Sequence, residues 1–174
     1  MWCYLVMRIM FIVTDEPVFH PIFLTESIRR IGSNQNIIAI CTVPEGYGKV
    51  QGFPHLIKLI SFFGLKASIY LGLRKYFAHL LTYLKFKTLT IESIAKKHNI
   101  LYTHTENVND QNFLELVADL DPDVIFSSQG QIFKKKLLMM PSKGCINRHS
   151  SLLPKYQGLF PVFWAMLNED EFVG

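Results

Sequence analysis

Short apolar runs alternate with longer segments of helical period along most of this chain. Residues 8–13 read Arg-Ile-Met-Phe-Ile-Val, and residues 36–43, 100–103 and 124–127 are further runs of the same kind. Such runs, rich in Ile and Val, predict strands buried on both faces. Between them, residues 21–31, 90–98, 111–120, 132–140 and 162–167 carry apolar positions three and four apart and predict helices. Pro21 suits a first helical turn. Glu92 lies early and Lys96 and Lys97 late in the segment 90–98, as the helix dipole favours. Asn109 and Asp110 predict the cap of the helix 111–120, and Asp121-Pro122-Asp123 ends it. Gly32, Ser33 and Asn34 close the first helix. The alternation predicts a doubly wound α/β fold, with a mainly parallel sheet of about five strands whose fifth opens at Gly144.

Residues 46–88 interrupt this rhythm between the second and third strands. Positions 53–63 and 65–85 read as helical, while Gly64 and Gly72 argue against one unbroken helix. Ile69, Leu73, Tyr76, Leu80 and Leu84 line one stripe. No acidic residue occurs between Gly46 and Ile91, whereas Lys49, Lys58, Lys66, Arg74, Lys75, Lys85 and Lys87 are basic. The net charge of +4 therefore belongs to this insertion, and the rest of the chain is slightly acidic. An amphipathic pair packed on the sheet, its basic face solvated, is one reading. Contact with a membrane surface, with nucleic acid or with a partner helix are the others. A basic surface would also draw in an anionic substrate.

With 174 residues, 49% of them hydrophobic, the chain can bury the core of one domain. Its three cysteines (3, 41 and 145) are far apart, which predicts neither a disulfide frame nor a zinc knuckle and fits the cytoplasm. The apolar stretch 1–13 is broken by Arg8, lacks a basic leader region and is too short to span a bilayer, so no transmembrane segment is predicted. No Gly-x-Gly-x-x-Gly follows the first strand, so no dinucleotide fingerprint is present. His20, His55, His79, His98 and His104 are scattered, and no metal site is predicted.

The chemistry concentrates in residues 144–161, GCINRHSSLLPKYQGLFP. If residues 145–149 are extended, Cys145, Asn147 and His149 share one face, and Ile146 and Arg148 the other. Asn147 and His149 would then lie roughly 6–7 Å apart. A carboxamide that can bind a carbonyl oxygen and an imidazole that can move a proton suit acyl transfer to an amine. Pro154, Gly158 and Pro161 place a loop after the strand, where open α/β sheets bind ligands. Ser150 and Ser151 sit in no Gly-x-Ser-x-Gly elbow and are not read as nucleophiles.

In Asn147-x-His149 and the following Ser151-Leu152-Leu153-Pro154-Lys155-Tyr156, the chain resembles the formyltransferase family that uses 10-formyltetrahydrofolate. That family includes methionyl-tRNA and sugar-nucleotide formyltransferases, and the resemblance is nearly continuous from residue 99. It implies that Asn147 hydrogen-bonds the formyl oxygen, while His149 stabilises the oxyanion and transfers a proton. It implies a pterin site at Ser128, Gln129, Gly130, Gln131, Ile132 and Phe133, walled by Leu152, Leu153 and Pro154. Main-chain groups of 131–133 would make the contacts, with plain packing the alternative for Ile132 and Phe133. Ser151, Tyr156, Gln157 and Gly158 would face the acceptor.

The partners implied are a reduced folate and the primary amine of a small molecule or sugar nucleotide, with methionyl-tRNA the alternative. Nucleic acid is disfavoured without a tRNA-binding domain, and self-association is open. The family's third catalytic residue, an aspartate, belongs a few dozen residues beyond His149, and Asp170 comes too early. The expectation is one catalytic domain over 1–174 lacking its final strands, weakly active or reduced to binding a folate or partner. Gln157 stands where many relatives have arginine, and Arg148 replaces an apolar residue at a position where an unpaired buried charge is costly. The Gly-Ser loop of glycinamide ribonucleotide formyltransferases is absent after the first strand.

Overall fold

The computed structural model describes residues 6–17, 19–31, 36–44, 53–83, 90–157 and 161–172. Along 53–83 it describes the backbone and part of the side chains. The turn at 32–34, the flanks of the insertion at 45–52 and 84–89, and Gly158 lie outside the described residues.

The elements run β1 (Arg8–Thr14), α1 (His20–Ile31), β2 (Asn36–Val43), α2 (Phe53–Tyr83), α3 (Ile91–Lys97) and β3 (Leu101–His104). They continue with α4 (Gln111–Leu120), β4 (Val124–Ser128), α5 (Lys135–Leu138), β5 (Gly144–Asn147) and α6 (Pro161–Leu167). The strands form one sheet in the order β3-β2-β1-β4-β5, with every pairing parallel. The expected doubly wound sheet of five strands is what the chain forms, and the helical insertion falls between β2 and β3.

Burial on both faces explains why the strands read as unbroken apolar runs. On one face Met10, Ile12, Cys41 and Ile125 pack beneath Phe113, Leu114 and Val117 of α4 and Leu137 of α5. On the other, Phe11, Val13 and Ile40 pack beneath Leu24 of α1 and Ile91 and Ala95 of α3. Here Phe11 and Phe126 meet at 5.3 Å between ring centroids, and Phe23 stacks on Phe126 at 5.7 Å.

The amino edge of the sheet is tied by charge. The Arg8 guanidinium donates to the carbonyls of Leu120 (2.7 Å) and Asp121 (3.0 Å), the orphan acceptors at the end of α4. Asp123 accepts from the Arg8 main-chain N–H (2.9 Å) and the Ser142 hydroxyl (2.6 Å), which holds its carboxyl below the usual range. Thr90 caps α3 by accepting from the Ser93 N–H at 3.0 Å.

Five expectations are corrected. Asp110 occupies the N-cap of α4 without a side-chain bond. Asn109 instead donates to the Ile132 carbonyl (2.9 Å) and accepts from the Lys134 N–H (2.8 Å). Those bonds hold 132–134 out of helical geometry, so the helix expected over 132–140 shrinks to Lys135–Leu138. In α2, Gly64 (φ 75°, ψ 166°) breaks the helix as glycine permits, but Gly72 does not. Along the described part of the α2 stripe, Ile69, Leu73 and Tyr76 are not packed on the sheet but stay 53, 52 and 62% exposed, while Leu80 is half-buried. Finally, β5 ends at Asn147, so His149 lies past the strand rather than on its face.

Candidate active site

The carboxyl ends of β1, β4 and β5 meet in a row of polar residues. Parallel register sets Val13 beside Ser128, and Ser127 beside Asn147. The Arg148 N–H then donates to the Ser127 carbonyl at 2.8 Å, the last tie between β5 and β4. Alternation divides this row between the two faces of the sheet. Cys145 packs with the α4 face, which places Ser127 and Asn147 on that side. Phe126 packs with the α1 face, which places Ser128 and Arg148 there.

Asn147 is exposed, and its carboxamide has no hydrogen-bond partner among the described residues. Its amide hydrogens and carbonyl oxygen are available to a ligand. His149 is half-buried, and its Nε2 lies 2.9 Å from the Tyr156 carbonyl oxygen. Asn147 and His149 stand two residues apart at the strand end, but a loop carbonyl, not strand geometry, orients the imidazole.

Tyr156 adopts φ 53°, and its hydroxyl accepts from Asn168 Nδ2 at 3.1 Å. Ser151 is buried and donates to the Lys155 carbonyl at 3.4 Å, so its hydroxyl serves the loop. Leu152, Leu153, Pro154 and Gln157 are exposed. Asp170 pairs with Lys155 Nζ at 3.5 Å, and no carboxylate among the described residues contacts His149.

The turn after β4 is organised by its own side chains. Gln129 spans Gln131, accepting from its N–H and donating to its carbonyl at 2.8 Å. Gln131 in turn accepts from the Val108 N–H (3.0 Å) and donates to the Glu106 carbonyl (2.9 Å). The main-chain groups of Gln131 expected to meet a ligand are therefore occupied. The Ile132 N–H and the main chain of Phe133 have no partner among the described residues. The two side chains part company. Ile132 is 82% exposed, whereas Phe133 packs on the core beside α4. Gly130 is half-buried between them and the strand.

On the α1 face stands a group that the sequence alone did not single out. Glu16 Oε1 lies 3.0 Å from His20 Nδ1, and His20 Nε2 lies 3.1 Å from Ser128 Oγ. The same carboxylate accepts from the Phe19 and His20 N–H groups and so caps α1. Arg148 Nη1 approaches Ser128 Oγ at 3.5 Å, and its guanidinium lies 5.0 Å from the Phe23 ring centroid. The cost anticipated for Arg148 does not arise, because the residue is exposed and its charge faces a π surface. The four-residue spacing from Glu16 to His20 across Pro17, at a helix start, was the available signal. Among the described residues no group of three or more His, Cys, Asp or Glu could hold a metal.

An all-parallel sheet with a free carboxamide and an oriented imidazole at its carboxyl edge defines a Rossmann-like protein with a polar strand-end site. Residues 77–174, more than half of the chain, match the family model described as Formyl transferase, and the chain belongs to that family. The match reaches back into the second half of α2, further than the motif resemblance from residue 99. Relatives include methionyl-tRNA formyltransferases of Clostridium tetani (38% identical over 92 residues) and a Thermotoga species (37% over 91). Each aligns with 52% of this chain, which spans only 30% and 29% of their lengths. Similar solved structures are glycinamide ribonucleotide transformylase 1 from Geobacillus kaustophilus and a formyltetrahydrofolate deformylase from Pseudomonas putida KT2440. The first has a TM-score of 0.56 at 13% identity, covering 94% of this chain and 69% of that one. The second has a TM-score of 0.51 at 16% identity, covering 97% and 46%. Both share its fold.

Proposed function

We propose that this chain carries the transfer centre for a formyl group passing from 10-formyltetrahydrofolate to a primary amine. The observation that carries the reading is the unpartnered Asn147 carboxamide at the carboxyl end of β5, two residues before an imidazole oriented by the Tyr156 carbonyl, in a Formyl transferase family member. The turn after β4 fits a flat heterocycle with an amide edge. It offers the open N–H of Ile132, open main-chain groups at Phe133 and the exposed Ile132 side chain, and the loop after β5 adds the exposed side chains of Leu152 and Leu153. The donor supplies the activated formyl carbon.

Asn147 Nδ2–H would donate to the formyl oxygen as the attacking amine makes it an oxyanion, a contribution of about 10²–10³ in rate. The Tyr156 carbonyl requires a hydrogen on His149 Nε2, which leaves the Nδ1 lone pair to accept the proton released by the amine. His149 then returns that proton to the departing folate nitrogen, giving a formamide and tetrahydrofolate. The amine belongs to a small molecule or sugar nucleotide, or to methionyl-tRNA, the acceptor named in the relatives.

A second reading, binding without turnover, draws on the absence of a carboxylate at His149 among the described residues and the engagement of Asp170 by Lys155. Purified chain is incubated with 10-formyltetrahydrofolate and either methionyl-tRNA or an amino-sugar nucleotide, and formamide is read by mass spectrometry. Product that falls about 10²–10³-fold in Asn147→Ala supports transfer. Binding of 5-formyltetrahydrofolate by calorimetry, without product from either acceptor, selects the binding reading. No binding and no product removes both.

A further inference from the structure

The insertion carries an observation that formyl transfer does not use. Beyond the Gly64 kink, α2 leaves Leu65, Ile69, Tyr70, Leu73, Tyr76 and Phe77 exposed, a set no globular packing explains. Water around six large apolar side chains is unfavourable, so this helix is built to be covered. The charge of the segment says by what. Residues 46–91 hold seven Lys and Arg and no Asp or Glu. A second copy docking through the same segment would bring like charges together. A nucleic-acid backbone would satisfy the cations but give isoleucine and leucine nothing to pack on. An anionic bilayer answers both, with phosphate headgroups for the cations and acyl chains for Leu65, Ile69 and Leu73. Tyr70 and Tyr76 suit the boundary between them. The helix is not long and apolar enough to cross, so the geometry is one of lying in the surface.

We propose that α2 is a membrane-surface helix that docks this protein on anionic lipid. The ring of Phe63, just before the kink, meets Phe163 of α6 edge to face at 6.1 Å. The docked helix is thereby joined to the segment that follows the Leu152–Tyr156 loop. The inference does not depend on formyl transfer.

The test is flotation of the full chain with vesicles of phosphatidylcholine alone or with about a third phosphatidylglycerol. The chain is expected to float with the anionic vesicles, with partitioning about tenfold weaker on the neutral ones and weakened again by 0.5 M salt. Lys66→Gln lowers anionic partitioning roughly fivefold, as loss of one surface charge requires. Ile69→Asp with Leu73→Asp abolishes flotation. Both positions are exposed, so the circular dichroism melt stays that of the unaltered chain. Three results overturn the proposal: no flotation on anionic vesicles, equal flotation of the double variant, or vesicle-independent dimer or RNA complex that the double variant removes.

Discussion

His149 Nε2 lies 2.9 Å from the main-chain oxygen of Tyr156, seven residues along the same loop. A carbonyl only accepts, so the neutral ring carries its hydrogen on Nε2 and presents the Nδ1 lone pair. The loop thus does part of what a carboxylate does beside a catalytic histidine: it sets the tautomer and orientation, though without a full charge.

On the proposed transfer reading, His149→Ala lowers kcat/KM for formyl transfer by about 10²–10⁴, through kcat rather than donor KM. His149 is only half-buried, so the melting temperature should stay near that of the unaltered chain. Initial rates against donor concentration decide it. An unchanged kcat would remove the histidine from the chemistry.

Glu16, His20 and Ser128 form a second polar chain on the opposite face. Replacing His20 by Ala leaves the nearly buried Ser128 hydroxyl with only the long Arg148 contact and releases one bond to Glu16. The expected loss is about 1–3 kcal/mol in urea unfolding, with the slope m unchanged. Because Glu16 still caps α1 through main-chain N–H groups, the helix itself should persist by circular dichroism.

The extent to which this molecule was legible in its sequence follows from the range of the forces involved. Strands β1 and β2 announce themselves because burial on both faces demands continuous apolar residues, and helix α4 because its period is unbroken. Asn147 and His149 drew attention as part of a longer run, with a glycine before and a proline after, that resembles a family motif, and their roles are those proposed above. The helix expected over 132–140 failed because Asn109, more than twenty residues earlier, competes for its first main-chain groups. Pattern cannot reveal a bond between segments that distant. The link from His20 to Ser128 spans 108 residues and exists only once β1 and β4 are paired.

Thiol chemistry separates the two cysteines of the sheet. Burial pushes the Cys41 thiol up to about 12, and burial also raises that of the half-buried Cys145. Since the thiolate is the nucleophile, Cys41 should resist iodoacetamide at pH 8 until the protein is unfolded, while Cys145 reacts slowly in the native state. Peptide mass mapping after timed quenching reads each site separately. Native-state labelling of Cys41 at the rate of Cys145 would contradict the packing of β2 beneath α4.

Two carboxylates make opposite predictions about stability and pH. Asp123 is depressed chiefly by the Arg8 main-chain N–H and then by the Ser142 hydroxyl, groups on β1 and before β5, so its charge joins distant segments. Glu26 is lowered further, to about 2, by Arg29 and then Arg30, but all three lie on one exposed face of α1. For a depressed carboxylate the stabilisation is full above the unfolded value near 4 and is lost as pH falls through the folded value. Asp123→Asn puts an amide donor where one of two N–H or O–H donors needs an acceptor. Its melting temperature should fall at pH 7, and the gap should close as the pH drops below about 4. Glu26→Gln, despite the larger shift, should melt closer to the unaltered chain, and its small deficit should vanish in 0.5 M salt, which screens exposed pairs within one helix. Melts of both variants from pH 2.5 to 7, at low and high salt, check the contrast. A larger deficit for Glu26→Gln than for Asp123→Asn would show that the tie across β1, β4 and the entry to β5 does not hold the sheet edge together.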